Sequence, residues 1–290
     1  MKDRFNSYSP FLQVIILVLI GAVTFVLLSM IVSLILTGFY PDIPSDNIVL
    51  LSEKFPIQFM AMYFLPFQLG FLLTPGIIYF YISKRGSKEK ISFNNNWIKG
   101  VLWSFALFIS VFFLLPFISE INNWITKSFG VYDQLVENKL VSDEQLKRLI
   151  GEGASTEAYI FGLLSIGVIT GIAEEFFFRG ILFGHIKKYT NRLDLSVFGS
   201  ALIFALLHFN YLQFLPLIAF GITLALMYHI TKSIIPGIIM HTLNNILNVY
   251  WLRNDIFPSW MDEVWIEITI PSTLLLMGLI YIKRFELFKK

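Results

Sequence analysis

No cysteine occurs anywhere in the 290 residues, and charge is scarce, at 14% of the chain. The missing thiols exclude disulfides, thiolate nucleophiles and cysteine-ligated zinc, and leave the redox compartment open. A soluble protein carries about 25% charged residues. A chain with 14% charged and 56% hydrophobic residues and a mean hydropathy of +0.69 has a surface that faces lipid. Nor is there a basic patch interleaved with exposed aromatics, so the net charge of +2 does not point to nucleic acid. Two familiar hydrolase signatures are absent as well. No His-Glu-x-x-His helix offers a zinc site, and Ser165, Ser196 and Ser200 have no Gly-x-Ser-x-Gly context. No internal repeat, low-complexity tract or linker divides the chain, which reads as one integral membrane domain over 1–290.

The chain does contain a series of uncharged runs. The first, between Arg4 and Asp42, predicts a span over 11–37. It is too long for the apolar core of a cleavable signal and lacks a small-residue cleavage site, so it reads as a retained helix. A second span is expected over 57–82, with Pro66 and Pro75 producing kinks rather than its end. After a basic connector, Lys84 to Lys90, a third is expected over 98–119. Residues 120–157 form the one large polar insertion, patterned as short amphipathic helices, and Gly151 to Thr156 reads as a loop entering the next helix. A fourth span is expected over 158–184. The uncharged run from Leu195 to Thr231 would make a helix of about 55 Å against a hydrocarbon thickness of about 30 Å, so it is divided at Asn210–Pro216 into spans five and six. Spans seven and eight fall over 234–252 and 264–282, with Trp260 and Trp265 as interface anchors between them.

The expected fold is therefore an all-α polytopic membrane protein of about eight transmembrane helices around an intramembrane active-site cavity. With that layout most of the 22 lysines and arginines collect on the side of the two termini, and the acidic residues on the other. The positive-inside rule makes the basic side cytoplasmic and the 120–157 insertion extracytoplasmic. The expected location is the plasma membrane, and the pattern sets no oligomeric state.

Span four breaks its own hydrophobic rule at Ala173-Glu174-Glu175-Phe176-Phe177-Phe178-Arg179-Gly180. One charge at the centre of a membrane helix costs about 2.5–3.5 kcal/mol on insertion scales, so such residues need partners and mark function. Glu175 and Arg179 are four apart and can pair on one face. Glu174 is turned by about 100° on an α-helix and is left unpaired on its own helix. A plain ion pair stapling two helices would explain Glu175 and Arg179 but not Glu174. His208 alone would read as a hydrogen-bonded core residue, and Asn245 alone as polar glue between helices. Together, however, His241, Asn245 and Asn248 form a stripe at i, i+4 and i+7. Counted from the cytoplasmic ends at 1.5 Å per residue, Glu174 and Asn245 lie about 16 Å deep, His208 about 20 Å and His241 about 10 Å. His185 and His229, at cytoplasmic helix ends, read as interfacial residues without a role. A carboxylate with an imidazole suits water activation, and an imidazole with an amide suits an oxyanion. The same Glu/His/His set also suits zinc with water as its fourth ligand.

Glu174-Glu175-x-x-x-Arg179, Phe204-x-x-x-His208 and His241-x-x-x-Asn245, in this order over a motif-bearing core of 158–250, resemble the three motifs of the CPBP family. These are the CAAX-processing and bacteriocin-processing (Abi) intramembrane endopeptidases. The resemblance implies an eight-helix fold and a conical cavity open to the cytoplasm. It also implies peptide-bond cleavage in a membrane-associated peptide or protein, with Glu174 and His208 activating water. His241 and Asn245 would stabilise the oxyanion, with Glu175 and Arg179 in support. The family is read both as zinc enzymes and as metal-free glutamate enzymes. Asn245 is a natural oxyanion donor and a poor zinc ligand, so no cofactor is expected; under the zinc reading the ligands would be Glu174, His208 and His241. Two rivals remain. One is a non-catalytic immunity or scaffold protein of the same fold. The other is a proton- or cation-coupled transporter, which the absence of internal repeats disfavours.

Overall fold

The computed structural model describes residues 2–44, 47–82, 97–256 and 266–287. Within these every regular element is a helix: α1 (Pro10–Phe39), α2 (Pro56–Ile82), α3 (Trp97–Phe112), α4 (Leu115–Ser128), α5 (Tyr132–Ile150), α6 (Thr156–Thr190), α7 (Leu193–Leu207), α8 (Phe214–Thr231), α9 (Ile235–Asn254) and α10 (Ile266–Leu287). Short helices at Lys2–Ser7 and Ile48–Lys54 precede α1 and α2.

Among the described residues α1, α2, α6 and Tyr211–Thr231 are long and apolar enough to cross a membrane. Gly100–Phe112 and Leu115–Ser128 make a fifth if this pair, bent by 42°, is one broken span. The protein is thus an integral membrane protein, with four or five such spans among the described residues by length and composition; the expected count of about eight is not confirmed. Two of the expected spans fall outside that set for physical reasons. The 15 residues of α7 extend only about 22 Å, short of a hydrocarbon core of about 30 Å. The polar residues from His241 to Asn248 interrupt the apolar run of α9 without breaking the helix. The division of the 195–231 run holds, since α7 stops at Leu207 and α8 starts at Phe214 after a single 3₁₀ turn. The expected end of the third span at 119 does not hold, because α4 continues to Ser128 and buries Asn122 and Thr126. After α4 the chain forms one charged helix of 19 residues, α5, in place of the expected short fragments. The connector Lys84–Lys90, Trp260 and Trp265 lie outside the described residues.

The chain folds as two compact units, one from residues 1–87, 142–185 and 241–256, the other from 88–141, 186–240 and 257–290. In the first, α1 and α2 approach at glycines. A Cβ on Gly21 would stand 2.6 Å from the Phe71 carbonyl oxygen, and one on Gly70 would stand 2.7 Å from the Phe25 Cα. Thr24 Oγ1 closes the contact by donating to the Gly70 carbonyl at 2.7 Å. Pro66 removes a backbone donor, and α2 absorbs the loss not by breaking but by widening to a π-helical stretch over Pro66–Leu73. The stretch ends where Thr74 N–H and Thr74 Oγ1 both donate to the Leu69 carbonyl. At one end of this unit Met60, Leu149, Ile150, Ala158, Val249 and Leu252 form an apolar cluster. The 151–154 loop beside it is held by Arg253, whose Nη1 donates to the carbonyls of Gly151 and Ala154. Ser155 then caps α6 by accepting from Ala158 N–H, as the loop pattern predicts.

His185 corrects an expectation. It is not an interfacial bystander but is buried to 3% exposure, with Nδ1 on the Ile181 carbonyl at 2.8 Å and Nε2 on Gln13 Oε1 at 3.1 Å. It therefore ties α6 to α1. His229 is buried too, at 7% exposure, with Lys232 Nζ 3.4 Å from its Nδ1.

In the second unit α7 and α8 pack closely where Gly221 meets Ala201, whose Cα and Cβ lie 3.0 Å from where a Gly221 Cβ would sit. Phe220 lies between Phe204 of α7 and Phe108 of α3, with centroids 6.2 and 6.3 Å away.

Candidate active site

The chemistry-bearing part of α6 is not a regular α-helix. Two π-helical stretches, Leu163–Ile169 and Phe176–Phe183, flank a single α-turn, Thr170–Glu175. Thr170 ends the first as Thr74 does in α2, with N–H and Oγ1 both donating to the Ser165 carbonyl. Isolated π turns are rare and cluster at functional sites. Here they set the angle at which Glu174, Glu175 and Arg179 leave the helix.

Glu175 and Arg179 are fully buried, each at 0% exposure, and pair through Glu175 Oε1 and Arg179 Nη1 at 2.8 Å. That is the i, i+4 pair the spacing predicts. The same Glu175 oxygen takes a second contact, with His241 Nδ1 at 3.1 Å, so the imidazole donates from that nitrogen. The other face of the ring looks at the neighbouring carboxylate, with Nε2 3.6 Å from Glu174 Oε2. His241, itself 2% exposed, thus stands between the two glutamates. Glu174 is buried to 7% exposure, and its Oε2 accepts no hydrogen bond among the described residues.

The approach of α9 that brings His241 here is set by small residues. Gly167 and Gly171 form a Gly-x-x-x-Gly step on α6, facing Ile246 and Thr242 of α9. A Cβ on Gly171 would lie 2.6 Å from Thr242 Oγ1 and 2.9 Å from its backbone nitrogen. Membrane helices approach most closely at such small-x-x-x-small steps. Thr242 is the next residue after His241, so the glycine contact fixes the depth at which the imidazole enters. This step is readable in the sequence, yet charge and histidine spacing alone do not call attention to it.

Asn245 lies one turn further along α9, with Nδ2 3.5 Å from the Ile166 carbonyl, a contact at the outer limit of a hydrogen bond. Asn248 does not extend the stripe. It is exposed and bonds back to the Asn244 carbonyl of its own helix. His208 belongs to the second unit, where it caps the C-terminus of α7 and is exposed. Its Nδ1 donates to the Phe204 carbonyl at 2.7 Å, leaving the Nε2 lone pair as the acceptor. The structure therefore places Glu174, Glu175, Arg179, His241 and Asn245 in one unit and His208 in the other. The hydroxyls of Ser165, Ser196 and Ser200 all donate to carbonyls one turn back in their own helices, which suits structural rather than nucleophilic use.

A zinc site needs three protein ligands converging on one point. Glu174 Oε2 and His241 Nε2 face each other, but among the described residues no group of three or more histidine, aspartate or glutamate side chains is placed to hold a metal ion.

Compared with known proteins, residues 156–247 match the family model described as type II CAAX prenyl endopeptidase Rce1-like. The matched segment nearly coincides with the core expected over 158–250 and contains all three motifs. No curated protein and no solved structure matches the chain.

Replacing Glu175 tests the buried pair. Glu175→Gln leaves the Arg179 guanidinium without its carboxylate, and breaking a buried ion pair costs about 3–5 kcal/mol. Gly171→Val should separate α6 from α9 and lower the melting temperature similarly. Glu174→Gln, which removes no such pair, should melt close to wild type in detergent. Equal melting temperatures for Glu175→Gln and wild type would contradict this assignment.

Proposed function

With residues 156–247 supporting the CPBP/CAAX protease family for this chain, we propose that the protein is an intramembrane endopeptidase. Its substrate would be a membrane-associated peptide or protein. The observation that carries the reading is the division of labour between adjacent carboxylates. Glu175 Oε1 is held by both Arg179 and His241, whereas Glu174 has neither bond, its Oε2 standing 3.6 Å from His241 Nε2; the second oxygen of Glu175 likewise accepts no hydrogen bond among the described residues.

In this reading Glu174 takes a proton from water as the water oxygen attacks the scissile carbonyl carbon, and the family resemblance assigns the Nε2 lone pair of His208 to the same water. The carbonyl π electrons move onto oxygen, giving a tetrahedral oxyanion. Asn245 donates to that oxyanion. Among the described residues its Nδ2 makes only the 3.5 Å contact with Ile166, which is readily given up. His241 can add a second donor through Nε2 when both ring nitrogens carry hydrogen, while Nδ1 remains on Glu175. Collapse of the intermediate breaks the C–N bond, and the proton gained from water passes to the leaving amine. Glu175 and Arg179 hold His241 and the helix in place. Glu174, Glu175, Arg179 and His241 are buried, which strengthens each electrostatic contact among them.

We propose metal-free catalysis, because Asn245 is a natural oxyanion donor and a poor zinc ligand. Purified protein should cleave members of a membrane-peptide library, with cleavage surviving dialysis against a strong chelator and no stoichiometric zinc found. Glu174→Ala should cut nothing. Asn245→Ala should lose about 10²–10³ in kcat with little change in KM. Chelator-sensitive cleavage restored by zinc would overturn the metal-free mechanism. A wild type that cuts nothing would favour a non-catalytic member of the same fold.

The proposed orientation keeps both termini cytoplasmic, in the plasma membrane, with the site reached from that side. Single cysteines at Arg4 and Glu144, both exposed, test it on the cysteine-free background. In sealed right-side-out vesicles Glu144→Cys should react with an impermeant maleimide and Arg4→Cys only after permeabilisation. Labelling of both from outside would contradict this topology.

A further inference from the structure

The loop that begins at His208 is short and conformationally demanding. Phe209 adopts φ +51°, the left-handed region a bulky side chain rarely enters, and a 3₁₀ turn over Tyr211–Gln213 then leads into α8. Such a conformation persists only where the surroundings over-determine it. At the near end the His208 N–H bonds to the Ala205 carbonyl, while its ring lies on Phe204 at 4.4 Å between centroids.

At the far end the loop is held by one side chain from α4. Asn122, 3% exposed, commits its whole amide to this loop. Nδ2 donates to the Tyr211 carbonyl at 3.2 Å and to the Leu212 carbonyl at 2.8 Å. Oδ1 accepts from Leu215 N–H at 3.1 Å. The last bond matters separately, because α8 has no side-chain cap of its own. An asparagine amide offers two hydrogens and one carbonyl oxygen, and all three are used here. Only asparagine among the side chains of this size can restrain two carbonyls and one N–H at once.

We infer that Asn122 is a positioning residue for His208, clamping the strained 209–212 loop so that Nδ1 stays on the Phe204 carbonyl and the Nε2 lone pair stays presented. The inference rests on the catalytic use of His208 proposed above. Asn122 itself touches no reacting atom.

Asn122→Asp separates clamping from capping. Aspartate keeps the acceptor for Leu215 N–H and adds a negative charge at a helix N-terminus, which is favourable. It loses both donors to the loop carbonyls. Asn122→Leu loses everything and is the harsher control. The readout independent of substrate is the tautomer of His208, seen by nitrogen NMR of histidine-labelled protein in micelles. Only four histidines contribute, and the His208→Gln spectrum assigns the signal.

In wild type the His208 signal should be that of the Nδ1–H tautomer. In Asn122→Asp it should become a mixture of tautomers in protein that still melts cooperatively. With a library peptide that wild type cleaves, kcat should fall by about 10–10²-fold at unchanged KM, the scale expected of a displaced catalytic group. An unchanged His208 signal in Asn122→Asp would overturn the inference, as would a fall in kcat without a tautomer change. Should wild type cleave no peptide, the endopeptidase reading fails by itself, and the NMR comparison still decides the role of Asn122. Should Asn122→Leu fail to fold, Asn122→Asp alone decides it.

Discussion

A guanidinium with no exposed surface inside an apolar helix is the constraint around which the first unit is built. Arg179 cannot be left there without a carboxylate, and Glu175 supplies it at 2.8 Å. Desolvating both ions costs several kcal/mol each, offset only when the geometry is good and the remaining polar atoms find partners. Glu175 finds a second partner in His241, and this brings α9 against α6. Once Glu175 is committed in this way, the adjacent Glu174 is the carboxylate left for chemistry. A buried ion pair is weak evidence for stability in its own right. Here its use is to hold one acid so that its neighbour can act.

Close approach of helices is the second condition, and it comes from backbone irregularity together with glycine. Both α2 and α6 contain π-helical stretches, and in both a threonine hydroxyl and N–H close on the same carbonyl five residues back. In α2 the cause is visible, since Pro66 has no N–H to give. In α6 no proline is present at 163–169, and the stretch instead precedes the Glu-Glu turn directly. Gly171, at the start of that turn, lets the Thr242 backbone come nearer than any side chain would allow. Packing and chemistry therefore share the same few residues.

Local rules account for much of this in advance. The i, i+4 spacing predicts the Glu175–Arg179 pair, the unbroken apolar runs predict α1 and α2, the apolar flanks of the Glu-Glu-Arg cluster predict α6, and the excess length of the 195–231 run predicts the break before Phe214. Tertiary facts escape those rules. That His241 faces both carboxylates depends on how α9 docks, and no feature of its own helix dictates which nitrogen meets which acid. The 100° step from Glu174 to Glu175 assumes α geometry, which the flanking π turns interrupt. Asn122 sits in a stretch whose charge pattern reads as a surface insertion, and Gln13 lies in a helix with no motif. Each is buried because a distant backbone or side chain needs its amide, a requirement visible only once the chain is folded. The Gly167–Gly171 step is different, since its signal is present in the sequence and is simply quieter than that of the charges beside it.

In the proposed chemistry Glu174 acts upon water rather than upon the peptide itself. Single-turnover cleavage in ¹⁸O-labelled water, with enzyme in excess and both products and enzyme examined by mass spectrometry, separates these directly. Direct attack by water places one ¹⁸O in the new C-terminal carboxyl of every product molecule in the first turnover and leaves the enzyme unlabelled. Label appearing in the enzyme fragment that contains Glu174, with unlabelled product, would show an acyl intermediate on that carboxylate and would contradict the mechanism.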